Sequence, residues 1–173
     1  FADLRGFTKI CQKMKPEQIC EMINDFLYHM TICIEKYDGT IDKFLGDGIM
    51  AIFGAPFIQK DHAIRALVCG AEMIKNHQFW QMKRKQKKYE APSLGIGIAS
   101  GEVIVGNIGT NKRIEYTVLG HPVNIASRLC SIAAEMQILT IKKTYQLAVK
   151  ELKSQKLPHL HFKRKGKIRL KNL

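Results

Sequence analysis

The stretch Thr40-Ile41-Asp42-Lys43-Phe44-Leu45-Gly46-Asp47-Gly48-Ile49-Met50-Ala51-Ile52-Phe53 constrains the fold of this chain more than any other segment. Two short apolar segments, Thr40 to Leu45 and Ile49 to Phe53, flank Gly46-Asp47-Gly48, which is the pattern of a β-hairpin. Long stretches with apolar residues at helical spacing lie on both sides of it. Before the hairpin come Ile19, Met22, Ile23, Phe26, Leu27, Met30 and Ile34, with Pro16 suited to the first turn and Gly39 to the stop. After it come Ile64, Leu67, Val68, Ala71 and Ile74, behind Asp61 as a candidate helix cap.

The remaining segments extend this pattern. Residues 1–5 read as the end of a strand feeding a turn at Gly6. Leu94 to Ala99 and Val103 to Ile108 flank Ser100-Gly101-Glu102, which predicts a second strand pair. Tyr116 to Leu119 is another short strand, and Gly120-His121-Pro122 opens a third helix through Ala133. Ile138 to Ile141 reads as a strand, followed by a short helix to Val149 and a basic hairpin turning near Gly166. The order strand, helix, hairpin, helix, strand pair, helix, strand predicts an α+β fold of ferredoxin-like plan. Its antiparallel sheet carries helices packed on one face.

A chain of 173 residues, 46% hydrophobic and 25% charged, fits one folded domain spanning residues 1–173. The five cysteines form no CxxC pair and mostly sit in apolar helical patterns, so they read as buried thiols in a reducing compartment. No apolar run approaches the roughly 20 residues that span a bilayer. The chain opens on Phe1 inside a motif and stops at Leu173 in a basic segment, so we expect it to be cut from a longer protein at both ends. The net charge of +13 concentrates in Lys83-Arg84-Lys85-Gln86-Lys87-Lys88 and in the tail from Lys163 to Lys171. The first cluster ends a helical pattern, where the helix dipole favours cations, and no aromatic residues interleave the tail as stacking platforms. Nucleic acid is therefore not expected as a partner; a polyanionic small substrate suits the charge better.

Chemistry concentrates in three segments. Asp3 and Asp47 each place a carboxylate where an apolar strand gives way to a Gly-rich turn. Singly, each is also an ordinary turn residue. Together they have the form of a metal site, because hard divalent cations often take one or two protein carboxylates and complete their shell with phosphates and water. Gly6-Phe7-Thr8 follows Asp3 and opens a helix, whose first amides are suited to phosphate oxygens. In Glu115-Tyr116-Thr117-Val118-Leu119-Gly120-His121-Pro122-Val123-Asn124-Ile125-Ala126-Ser127-Arg128-Leu129, Asn124 and Arg128 are spaced to share a helix face. That pair is either a solvent-facing couple or a ribose-orienting amide with a phosphate-binding guanidinium.

FADLRGFT, TIDKFLGDGIMAIFGAP and YTVLGHPVNIASRL, in this order and spacing, resemble the class III nucleotidyl cyclase catalytic domain, most of all the bacterial-type adenylyl cyclases. The resemblance implies that Asp3 and Asp47, with the Leu4 carbonyl, hold two Mg²⁺ or Mn²⁺ ions. It implies that Lys43 and Thr117 read the purine, Asn124 orients the ribose and Arg128 stabilises the transition state. Lys171 is the best match for a lysine on the terminal phosphates, with Lys167 and Lys165 as alternatives. It further implies a head-to-tail homodimer with shared sites, intramolecular attack of the ribose 3′-hydroxyl on the α-phosphate, a location on the cytoplasmic side and regulatory domains outside this segment.

A lysine only donates, which suits the ring-nitrogen acceptor of adenine, and Thr117 is compatible with the adenine amine. ATP is the expected substrate. The alternatives are a guanylyl cyclase, in which an acidic residue typically replaces Lys43, and a non-catalytic cyclase-like module. Lys43 is also placed to neutralise Asp42 or Asp47 across the hairpin. Three features depart from the family pattern: His121 in place of an acidic residue, Asn172 in place of glycine, and no last strand beyond it.

Overall fold

The computed structural model describes residues 1–152 and 160–166. Strand β1 (Ala2–Arg5) leads through a short helix α1 (Phe7–Cys11) into α2 (Pro16–Lys36). The hairpin follows as β2 (Thr40–Phe44) and β3 (Gly48–Ile52), then the long helix α3 (His62–Gln86). Strands β4 (Ser93–Ile98), β5 (Ile104–Thr110) and β6 (Arg113–Leu119) precede α4 (His121–Ile132), β7 (Gln137–Thr140) and α5 (Lys142–Leu152). A five-stranded sheet runs β2-β3-β1-β4-β7, antiparallel except where β7 lies parallel to β4. Strands β5 and β6 form a separate antiparallel ribbon.

The two long helices supply the core. On α2 the residues at helical spacing Met22, Phe26, Met30, Cys33 and Ile34 are buried, and on α3 Ile64, Leu67, Met73 and Trp80. Those of α2, with Met73 and Trp80, pack with Ala2, Leu4, Ile49, Leu94 and Ile96 from the facing side of the sheet, while Ile64 and Leu67 form a second cluster with Ala63, Val68 and Ala148. Phe26 is 0% exposed, and burying a side chain of that size contributes about 1.5–3 kcal/mol. Trp80 donates its indole N–H to Asp25 at 2.7 Å, which satisfies the one polar atom it carries into the core. The basic run at the end of α3 occupies its last turn, and Arg84 lies 4.9 Å over the Trp80 ring. That cluster is a helix terminus, as the dipole argument expects.

Helix α4 docks on the opposite face of the sheet from α2 and α3, so the α+β plan holds but its helices do not all share one face. Along β4 the side chains alternate, so Ile96 faces the core while Gly95 and Gly97 face the other way. A Cβ on Gly97 would stand 2.2 Å from both the Ala126 carbonyl oxygen and the Cys130 nitrogen. Helix backbone therefore rests directly on strand backbone, and only glycine admits that approach.

Two local expectations are corrected. The segments around Ser100-Gly101-Glu102 are not a hairpin: β4 stays in the main sheet and β5 pairs with β6, from Ile104 opposite Leu119 to Thr110 opposite Arg113. The connection is tied elsewhere, with the Ser100 amide donating to Thr144 Oγ1 at 2.8 Å. Asp61 stands at the cap position of α3 but makes no cap hydrogen bond. Its carboxylate accepts from Arg65 Nε at 2.8 Å, and Glu151 accepts the Ile64 amide instead at 3.0 Å. The basic hairpin near Gly166 has no strand in residues 160–166, and its remainder lies outside the described residues. No helix among the described residues is long and apolar enough to cross a membrane.

Candidate active site

The candidate metal-binding end is built by β1 and the β2–β3 turn. Asp3 stands opposite Gly48 in β3 and Gly95 in β4. The turn closes with the Leu45 amide donating to the Gly48 carbonyl at 2.8 Å, and Gly46 takes the left-handed conformation at φ 70°. The Leu4 amide donates to the Asp47 carbonyl at 3.2 Å, which brings the two aspartates side by side. A Cβ on Gly48 would come within 3.2 Å of Asp3 Oδ1, so the missing side chain leaves room for that carboxylate.

Both carboxyls are held above the usual carboxylate range. For Asp3 the larger cause is burial, followed by the charge of Asp47; Arg5, whose Nη2 donates to Asp3 Oδ2 at 3.1 Å, opposes them. For Asp47 the cause is burial, partly offset by hydrogen bonds and by Arg5. Two adjacent carboxylates that resist ionisation fit a hard divalent cation, which would stabilise both charged forms. Among the described residues there is no group of three or more His, Cys, Asp or Glu able to enclose an ion. The donor set therefore suits a cation that shares its shell with phosphate and water. Gly6, left-handed at φ 72°, precedes Phe7 and Thr8 at the start of the five-residue α1, with Thr8 exposed.

The second cluster joins β2 to β6. Between Ile41, opposite Ala51, and Lys43, opposite Met50, β2 carries one extra residue, Asp42. A bulge of this kind re-aims side chains, and here both Asp42 and Lys43 reach β6. Lys43 Nζ donates to Glu115 Oε2 at 2.9 Å and lies 3.6 Å from Asp42 Oδ2. The Thr117 hydroxyl donates to Asp42 Oδ2 at 3.0 Å. The hydrogen bond to Glu115 is the main reason the Lys43 ammonium holds its proton more strongly than usual; Lys43 and then Arg113 hold the Glu115 carboxyl below its ordinary range.

Lys43 and Thr117, singled out separately in the sequence, are thus brought together. Lys43 does pair with Asp42, though Glu115 is its nearer partner, and no ion pair joins it to Asp47. Asn124 and Arg128 are both exposed on α4, and their side chains make no hydrogen bond or ion pair among the described residues. The couple is therefore not spent on a bond between its own members. Lys165 is exposed, while Lys167 and Lys171 lie outside the described residues. Sequence reasoning missed Glu115, although it is two residues from Thr117 and so on the same face of β6. It also missed the bulge at Asp42, which depends on the pairing with β3 and leaves no mark in β2 alone.

The model of the adenylate and guanylate cyclase catalytic domain matches residues 1–172. Among solved structures, the adenylyl cyclase CyaB from P. aeruginosa is 33% identical with a TM-score of 0.90, covering 99% of this chain and 85% of that one. The guanylyl cyclase Cya2 is 39% identical with a TM-score of 0.81, covering 85% of this chain and 75% of that one. The uncharacterized protein Rv1319c of Mycobacterium tuberculosis is 35% identical over 133 residues, or 77% of this chain. This chain spans 23% of the length of that relative. On the family match across nearly its whole length, the chain belongs to the adenylate and guanylate cyclase catalytic domains.

Proposed function

We propose that this domain is an adenylyl cyclase, converting ATP to 3′,5′-cyclic AMP and pyrophosphate. The observation that carries the reading is the junction of β2 and β6, where the Lys43 ammonium and the Thr117 hydroxyl sit one carboxylate apart. A lysine ammonium has three protons to donate and no lone pair, which suits adenine N1 and opposes the N1–H of guanine. The 3′-oxygen of the ribose forms the new bond to the α-phosphorus as the bond to pyrophosphate breaks, and the hydroxyl proton passes to solvent. Asn124 orients the ribose and the Arg128 guanidinium takes the charge that builds on the phosphoryl oxygens. Gly6, Phe7 and Thr8 offer backbone amides to the phosphates, and Lys171 is assigned to the terminal ones. Mg²⁺ or Mn²⁺, two per site on Asp3, Asp47 and the Leu4 carbonyl, would supply a lowered hydroxyl pKa and neutralise the leaving oxygens.

The reading includes a head-to-tail homodimer, with the aspartates of one subunit facing Lys43, Thr117, Asn124 and Arg128 of the other. ATP as substrate places the domain on the cytoplasmic side. The deciding experiment measures product from ATP and from GTP with Mn²⁺ and dimeric protein. Cyclic AMP as the main product supports the proposal. Cyclic GMP as the main product replaces it with the guanylyl reading, which the 39% identity to Cya2 favours. No product from either nucleotide replaces it with a non-catalytic module. Mixing Asp47→Asn chains with Arg128→Ala chains should restore one complete site per mixed dimer; verified mixed dimers that remain inactive overturn the shared-site arrangement.

A further inference from the structure

The Asp42 side chain is 0% exposed, an uncommon position for a carboxylate. Its Oδ1 has no hydrogen-bond partner among the described residues. The ion pair with Lys43 accounts for only part of it, because Lys43 Nζ is 3.6 Å away and lies nearer Glu115, at 2.9 Å. The closest polar contact of Asp42 is the Thr117 hydroxyl at 3.0 Å.

That contact fixes a direction. The Thr117 hydroxyl is the donor and Asp42 Oδ2 the acceptor, so the single hydroxyl proton of Thr117 is spent on Asp42. What Thr117 has left to offer a base is a lone pair. A threonine without such a partner turns its proton either way and accepts adenine's amine or donates to guanine's carbonyl with equal ease. We propose that Asp42 is a positioning residue for base selection: it locks Thr117 as an acceptor, so that beside the donor Lys43 the site opposes guanine at both atoms. The β2 bulge is what makes this possible, since regular alternation would send the side chains of Asp42 and Lys43 to opposite faces. The inference rests on the adenylyl reading above and adds the origin of its selectivity.

The test compares kcat/KM for ATP and GTP, with dissociation constants for both nucleotides from calorimetry, so that an inactive preparation still yields a ratio. Asp42→Leu removes the acceptor and releases the hydroxyl proton; replacing a buried charge by an apolar side chain of similar volume is often tolerated. The ATP/GTP ratio should fall about tenfold. Asp42→Asn keeps the shape but mixes donor and acceptor, and should lower the ratio about threefold, which serves if the leucine variant does not fold. In a Thr117→Val background neither change should alter the ratio, because there is no hydroxyl left to lock. An unchanged ratio in both single variants, including an equal loss for both nucleotides, overturns the proposal, as does an equal shift in the Thr117→Val background. Wild-type protein that prefers GTP overturns the adenylyl reading and this inference with it. Wild-type preference for ATP combined with unchanged variant ratios overturns this inference alone.

Discussion

At the β2–β3 turn, Asp3 and Asp47 set two carboxyls side by side, with Arg5 a partial counterweight. One strand end away, between β2 and β6, acids and bases alternate: Asp42 and Glu115 flank Lys43, and Arg113 pairs with Glu115. The first group holds like charges that Arg5 offsets only in part; the second is largely neutralised from within. Sites assembled to receive a charged ligand hold like charges at a cost to the unliganded fold, whereas a site that reads uncharged base edges must settle its own charges first. A guanine or adenine edge brings no net charge with which to compensate a mismatch.

The largest expected effect is at the proposed metal end. Asp47→Asn should reduce turnover by roughly a thousandfold or more, the scale of losing a central electrostatic stabiliser. The same variant should unfold at a higher temperature than wild type in EDTA, and should lose the rise in Tm that Mn²⁺ gives the wild type. A wild-type Tm indifferent to Mn²⁺ would end the claim that the turn holds a cation. At the base end the effect should be smaller. Lys43→Met should lower the ATP/GTP ratio of kcat/KM by roughly 10- to 100-fold, less than a fully buried recognition group would give, because the Lys43 side chain is 34% exposed. Its Tm should change little, since solvent-screened ion pairs contribute little to stability. A large loss of Tm with an unchanged ratio would make Lys43 structural.

The smallest effect, and the one that compares both ends directly, is the pH dependence of stability. Asp3 and Asp47 have raised pKa values in the folded state. The unfolded chain then releases these protons first, so their cost is absent below the unfolded value of about 3.8 and grows as pH rises through the folded one. Glu115 has a lowered folded pKa, so its contribution is present above the unfolded value of 4.5 and is lost as pH falls through the folded one. In EDTA, Asp47→Asn should therefore rise above the wild-type stability curve with increasing pH, and Glu115→Gln should fall below it. Urea melts at pH 3 to 7 check this; two variants deviating in the same direction would erase the contrast.

How much of this was legible in the sequence depended on the range of each interaction. The hairpin and the stripes of α2 and α3 were legible because Met22, Phe26 and Met30, or Ile64 and Leu67, repeat with the period of the element that buries them. The strand pair around Ser100-Gly101-Glu102 was misread because a Gly-containing link between two apolar runs looks the same whether the runs pair with each other or with distant partners. Asp61 was misread for a similar reason: Arg65, four residues on, competed for its carboxylate. In the site, Asp3, Asp47, Lys43 and Thr117 were visible in motifs. The meeting of Lys43 with Thr117, through a bulge in one strand and a hydrogen bond spanning 75 residues between Thr117 and Asp42, is a tertiary fact.

The contact of α4 with Gly97 has a mechanical side. Soft layers in proteins are made of side chains, which can change rotamer and let two elements slide. Between α4 and β4 that layer is missing at Gly97, where backbone meets backbone. Asn124 and Arg128 are therefore carried by the same stiff body as β1 and its Asp3, which is hydrogen-bonded to β4. In the proposed dimer, with half of a site from each subunit, such bodies would act like the two jaws of a vice. The compliant joint would then be the seam between subunits, and changing the angle at which two copies meet would move the halves of the site more than any strain within one copy.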